Sequence, residues 1–162
     1  MQQGRRSPDR LPKLLDAHLS ELERARASGK ENIVLIGKSM GGRVGCHLAT
    51  DQAVAAVVCL GYPLKGMGAQ GKLRDQVLLE LRVPTLFIQG TRDNLCPLDL
   101  LESVRARMKC PNELFVVQTG DHSLQATKTH LKQAELTQEA VDRSVLGAIG
   151  DFLQRKAKRA KR

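Results

Sequence analysis

Aromatic residues are scarce in this chain: 2% of the total, with no Trp, one Tyr and three Phe. Surfaces that stack unpaired bases need such rings, so nucleic acid is not an expected partner of the body of the protein. No run of 18 or more apolar residues occurs, so the sequence offers no membrane-spanning helix. The first residues, Met1-Gln2-Gln3-Gly4-Arg5-Arg6, lead into a polar helical pattern and lack the apolar core of a signal peptide. Cys46, Cys59, Cys96 and Cys110 lie far apart with no CxxC pair. That spacing fits neither a zinc site nor a disulfide framework, and reduced thiols in a cytosolic or nuclear protein are the expectation.

What the chain does have is length and apolar content for one packed domain, 162 residues at 41% hydrophobic. Lys and Arg outnumber Asp and Glu by 26 to 17, a formal charge of +9. Six of these cations, Arg155, Lys156, Lys158, Arg159, Lys161 and Arg162, crowd the last eight positions, and without them the balance is +3. Residues 1–154 therefore read as a single domain and 155–162 as a basic tail. The tail suits a nuclear-localisation signal or a nucleic-acid contact; the plainer reading is a solvated helix end whose cations complement the helix dipole.

Ser7 followed by Pro8 predicts a helix start, and Leu11, Leu14, Leu15, His18, Leu19, Leu22 and Ala25 repeat at helical spacing up to Gly29. Short apolar runs at Ile33–Ile36, Val54–Leu60, Thr85–Gln89 and Leu114–Gln118 predict strands, the first two of them buried on both faces. Helices are expected after Gly41-Gly42, through Leu73 to Leu81, after Pro97, and from Leu136 to Leu153, with residues 61–71 as loop. Apolar strands alternating with helices indicate an α/β fold with a mainly parallel sheet covered on both faces.

Three glycine motifs compete. Gly37-Lys38-Ser39 resembles the end of a P-loop, but position 32, where the leading glycine belongs, is Asn32. Gly66-Met67-Gly68-Ala69-Gln70-Gly71 matches GxGxxG, yet Gly61 to Lys65 separate it from the strand, and the next strand closes with Gln89 and Gly90 instead of an acid. A glycine-rich loop is the better reading there. Gly37-Lys38-Ser39-Met40-Gly41 is GxSxG set between a strand and a helix, the setting a nucleophile elbow requires.

A serine hydroxyl needs a histidine to take its proton and an acid to orient that histidine. Asp93 and His122 each follow a predicted strand by four residues, so both fall at the sheet edge that carries Ser39, in the order Ser, Asp, His. Asp121 and Asp99 compete as the acid. Asp121 adjoins His122 and better suits shaping its loop, and Asp99 lies in the first turn of a helix, where an acid complements the dipole. His18 and His47 lie on helices away from that edge, and His130 in a polar, mobile-looking stretch.

With these residues in place the chain resembles the α/β-hydrolase-like family that includes testis-expressed protein thirty, a domain also found in a subunit of the NSL histone-acetyltransferase complex. The resemblance runs from Gly4 to about Leu153. It rests on Gly37-Lys38-Ser39-Met40-Gly41-Gly42-Arg43, Gly61-Tyr62-Pro63-Leu64, Lys72-Leu73-Arg74-Asp75, Leu86-Phe87-Ile88-Gln89-Gly90, Asp93 and Asp121-His122-Ser123-Leu124. The family is also similar to dienelactone hydrolases and other small esterases. The resemblance implies Ser39 as nucleophile, Asp93 as acid, His122 as base, and no metal or organic cofactor.

Complete members of that family carry about four strands before the nucleophile strand, and none is evident here. The resemblance therefore implies the C-terminal portion of the fold, an unpaired sheet edge, and only the Met40 amide as an assignable oxyanion donor. One such donor is worth roughly 10²–10³ in turnover. An unpaired apolar edge predicts weak folding or association with a protein partner. Tyr62, Pro63, Leu64 and Leu95 are expected to line an acyl pocket. The function expected is hydrolysis of an ester, thioester or related acyl bond of a small-molecule substrate, in the cytoplasm or, through the tail, the nucleus. The alternative is a non-catalytic hydrolase-fold interaction module.

Overall fold

A computed structural model describes residues 10–66 and 72–160, in the last four of these for the backbone alone. Four strands, β1 (Val34–Lys38), β2 (Ala56–Leu60), β3 (Thr85–Gly90) and β4 (Asn112–Val117), form one sheet in sequential order. Every neighbouring pair is parallel. Parallel neighbours need crossover connections, and α2 (Met40–Asp51), α3 (Gln76–Glu80) and α4 (Leu98–Arg105) supply them. Two helices, α5 (Lys128–Gln133) and α6 (Gln138–Ala160), follow the sheet; α1 (Leu11–Ala27) precedes it.

The period-two alternation of strand side chains divides the core between the two faces. Val57, Cys59 and Phe87 point to one side and pack with Cys46 of α2, Val77 and Leu78 of α3, and Leu101 and Val104 of α4. Ala56, Val58, Leu86 and Ile88 point to the other and meet Val145 and Phe152 of α6. Both faces of the sheet are covered, as the alternation of strands and helices predicts. β2 and β3 are the central, buried strands, with Thr85 and Gln89 the buried polar residues on them.

β1 departs from the expectation of a strand buried on both faces. It lies at the sheet edge, and although Val34 packs against the cluster that α6 completes, Ile36 is 52% exposed. Ser39 N–H donates to Leu60 O, so the odd-numbered residues of β1 bond toward β2. By the alternation of a parallel ladder, Val34, Ile36 and Lys38 turn their backbone groups to the outer side, where no strand lies among the described residues.

Several element ends move. The Ser7-Pro8 start lies outside the described residues; the observed helix opens at Leu11, with Pro12 in its first turn. β1 runs on to Lys38 because Gly37 and Lys38 pair with Cys59 and Leu60. The third helix shortens to Gln76–Glu80. The helix expected from Leu136 to Leu153 is α6, and a further helix, α5, precedes it. α5 is capped by the Thr127 hydroxyl and ends where Glu135 takes a φ of 52°; Thr137 then opens α6, its hydroxyl accepting from Ala140 N–H. His130 accordingly sits on α5 and not in an irregular stretch. α6 passes through position 154 without a break, and Arg155 Nη2 contacts Glu113 Oε2 at 2.6 Å, so the first residues of the basic tail are docked on β4.

Candidate functional site

β1 ends at Lys38 and α2 begins at Met40, leaving Ser39 alone to make the turn at φ 52° and ψ −118°. This is a sparsely populated backbone conformation for a residue with a side chain, costing on the order of 1–3 kcal/mol. Its occurrence between strand and helix is the geometry of a nucleophile elbow. A Cβ on Gly37 would lie 2.2 Å from the Gly41 carbonyl carbon, so that glycine is obligatory. The second glycine of the motif is different: a Cβ on Gly41 meets nothing within 4 Å. Gly42, just outside the motif, is the tighter position, its Cβ falling 2.9 Å from Gly37 O.

The loops after β2, β3 and β4 are pressed together backbone to backbone. A Cβ on Gly61, whose φ is +60°, would lie 2.7 Å from His122 O, and one on Gly90 would lie 2.2 Å from Gly120 O. Arg92 N–H donates to Gly120 O at 2.8 Å, and Thr119 N–H to Thr91 Oγ1 at 2.8 Å. These contacts carry Asp93 and His122 to the elbow. His122 Nε2 lies 2.8 Å from Ser39 Oγ, and His122 Nδ1 lies 2.8 Å from Asp93 Oδ2.

The Asp93 side chain is fully buried, and that of His122 is 30% exposed. A buried carboxylate requires donors. Asp93 has three: Gln89 Nε2 at 2.7 Å and His122 Nδ1 at 2.8 Å on Oδ2, and Leu95 N–H at 2.9 Å on Oδ1. With the carboxylate as acceptor, His122 Nδ1 carries the ring proton and Nε2 is left to accept from the Ser39 hydroxyl. Met40, the first residue of α2, has an amide with no intrahelical acceptor, beside Ser39.

The competing acids sit elsewhere. Asp121 Oδ1 accepts from the backbone N–H groups of Ser123 and Gln125 and shapes the loop; Asp99 is in the first turn of α4. Nor does a thiol compete with the serine. Burial pushes Cys96 up to about 12, and a hydrogen bond to Cys59 followed by burial raises Cys46 well above the usual thiol range. All four cysteines are free and buried.

The expected acyl-pocket residues are corrected in part. Tyr62 and Leu64 are completely buried in the core, Tyr62 edge-on to Phe87 with its hydroxyl donating to Arg74 O, and neither presents a wall to solvent. Pro63 is buried with them. Leu95 is half-buried and acts through its backbone, on Asp93. Gln89, with its grip on Asp93, is the residue the sequence reading passes over. The GxGxxG segment from Gly66 to Gly71 lies, past its first residue, outside the described residues. Among the described residues no group of three or more His, Cys, Asp or Glu side chains is placed to hold a metal ion, and no helix is long and apolar enough to cross a membrane.

The sequence profile of a family described as alpha/beta hydrolase domain matches residues 1–152. Among curated proteins the chain is similar to Protein sumv-2 of Caenorhabditis elegans, 29% identical over 125 residues that make up 75% of this chain and 11% of that protein. Among solved structures it resembles an esterase from Pyrococcus furiosus, with a TM-score of 0.62 at 18% identity, covering 87% of this chain and 60% of the esterase. It also resembles a dienelactone hydrolase from Anabaena variabilis, with a TM-score of 0.56 at 21% identity, covering 82% of this chain and 58% of that one. The chain thus spans about a tenth of sumv-2 and about three fifths of these hydrolases. At such identities the structural likeness establishes the fold.

Proposed function

The chain belongs to the alpha/beta hydrolase domain family, and from that premise we propose that it is a serine hydrolase cleaving an ester, thioester or related acyl bond. The observation that carries the reading is His122, hydrogen-bonded at once to Ser39 Oγ and to Asp93 Oδ2, each at 2.8 Å. Ser39 Oγ attacks the acyl carbon while its proton passes to His122 Nε2. Asp93, held by Gln89 and Leu95, stabilises the imidazolium and fixes its orientation. The Met40 amide faces the developing oxyanion at the N-terminus of α2. Collapse of the tetrahedral intermediate expels the leaving group, which takes the proton from His122. Water, activated by the same imidazole, then releases the acid from the acyl-serine. No step requires a metal or organic cofactor.

Fluorophosphonate labelling of this chain tests the reading. Labelling that Ser39→Ala and heat denaturation both abolish is the expected result; no labelling of the folded wild-type chain overturns it. Turnover of an activated ester should fall about 10⁴–10⁶-fold in Ser39→Ala. The closer kinship, with testis-expressed protein thirty and the NSL-complex subunit, belongs to the same proposal. So does a cytoplasmic or nuclear setting.

A second reading, a hydrolase-fold interaction module, is favoured by the outer edge of β1, unpaired among the described residues, with Ile36 exposed on it. A protein partner bound there would be lost with Ile36→Lys and kept with Ser39→Ala. The opposite pattern overturns it.

A further inference from the structure

Gln89 lies near the end of β3, a strand buried along its whole length, and is itself fully buried. An amide among apolar neighbours is costly unless it is hydrogen-bonded. Its side-chain bond runs forward to Asp93. Asp93 N–H donates to Gly90 O at 3.3 Å and Cys96 N–H to Asp93 O at 3.1 Å, so two successive turns fold the loop back over the strand end. The Asp93 carboxylate thus lands 2.7 Å from Gln89 Nε2. Gln89 Oε1 is sealed as well, and no donor reaches it among the described residues. The direction of the amide is therefore set by the carboxylate: turned over, it would press one acceptor against another.

Gln89 and His122 meet Asp93 at the same oxygen. Gln89 Nε2 and His122 Nδ1 both lie on Oδ2, at 2.7 and 2.8 Å, while Leu95 N–H holds Oδ1 at 2.9 Å. A carboxylate oxygen has two lone pairs, and here both have donors. Each donor stabilises the carboxylate charge, so each leaves less of it to draw on the other. The Asp93 side chain is shut off from solvent, and the division of its charge is settled among these three groups.

We propose that Gln89 is a positioning residue that sets how tightly Asp93 holds the imidazole: by donating to Oδ2 it weakens the His122 Nδ1–H···Oδ2 bond and frees His122 to return its proton. The catalytic half rests on the hydrolase reading; the sharing of Oδ2 does not. In acyl transfer the proton leaves Ser39 Oγ for His122 Nε2 and then passes to the leaving group. Gln89 keeps both of its own protons throughout. A carboxylate with His122 as the one donor on Oδ2 would favour the imidazolium and slow the second transfer. Shared with Gln89, it balances acceptance against delivery.

The experiment has two arms. In the first, the Nδ1 proton of His122 is followed by NMR in the full chain. In Gln89→Met, close in size but without a donor, it should move downfield, because Oδ2 then serves His122 alone. No movement, or movement upfield, in the folded variant overturns the sharing. A wild-type measurement guards against a variant that does not fold: the two Nε2 protons of Gln89, one bound to the anion, should be further apart in shift than those of exposed Gln118 and Gln125. An equal separation overturns the bond. The second arm compares an alkyl and a nitrophenyl ester of the same acid. An alkoxide needs the proton from His122 to leave, whereas a nitrophenolate does not. The ratio of kcat/KM, alkyl to nitrophenyl, should fall about tenfold in Gln89→Met; a merely structural role lowers both alike, and an unchanged ratio overturns the catalytic half. If the wild-type chain turns over neither ester and Ser39 resists labelling, that half falls with the hydrolase reading, and the resonances still decide the sharing of Oδ2.

Discussion

Gly37 and Gly41 hold matching places in GxSxG but not in space. Gly37→Ala would drive a methyl to 2.2 Å from the backbone of Gly41, so the elbow must open. A loss of about 1–3 kcal/mol or more, with loss of Ser39 reactivity, is expected. Gly41→Ala meets open space inside a helix and should be neutral or stabilising by up to about 1 kcal/mol. Denaturant titration with fluorophosphonate labelling separates the two, and equal effects would contradict the geometry. At this scale the meeting of Ser39, Asp93 and His122 was legible because motif, strand context and chain order are local or ordinal properties. Gln89 was not, because a glutamine closing an apolar strand has no pattern to betray it. Its role depends on Asp93 curling back to within 2.7 Å. Gly61 and Gly90 were equally silent: what forbids a side chain there is another loop.

The four strands were legible as apolar runs, while their ends were set by pairing. Asn112 and Glu113 belong to β4 because they align with Thr85 and Leu86, and polar residues on an edge strand leave no apolar trace. α5, in a stretch read only as polar, and its end were hidden for a similar reason. No glycine marks it; Glu135 takes the left-handed conformation itself, at φ 52°, while Leu136 N–H donates to Leu131 O. A helix C-terminus of this kind favours glycine, and a residue with a Cβ costs roughly 1–2 kcal/mol there. Glu135→Gly should therefore stabilise the protein by about 1 kcal/mol, read as a rise in Tm. A fall in Tm would show that the Glu135 side chain contributes more than its backbone strain removes.

Stability of the whole molecule should depend on pH through His47. Its folded-state pKa is lowered by burial and then by Arg43, so as pH falls the unfolded chain takes up this proton first. The stability tied to His47 is present above the ordinary histidine range near 6.5 and is lost as pH drops below it. His47→Gln should flatten that part of the profile, measured as the denaturant midpoint between pH 7.5 and 5.5; an unchanged slope would remove His47 as the cause. The covered parallel sheet could be read from the alternation of elements. The exposure of Ile36 could not be read from its apolar run, which predicts burial on both faces; the edge position behind it agrees with the unpaired sheet edge that the resemblance implies. Ser39 follows β1 and His122 follows β4, the two outer strands, and the bond between them spans 83 residues. On the ribosome, then, the serine emerges long before its base. A nascent chain therefore carries the hydroxyl through the synthesis of β2, β3 and β4 before its histidine partner exists, so the proposed reactivity would report that the four strands have come together.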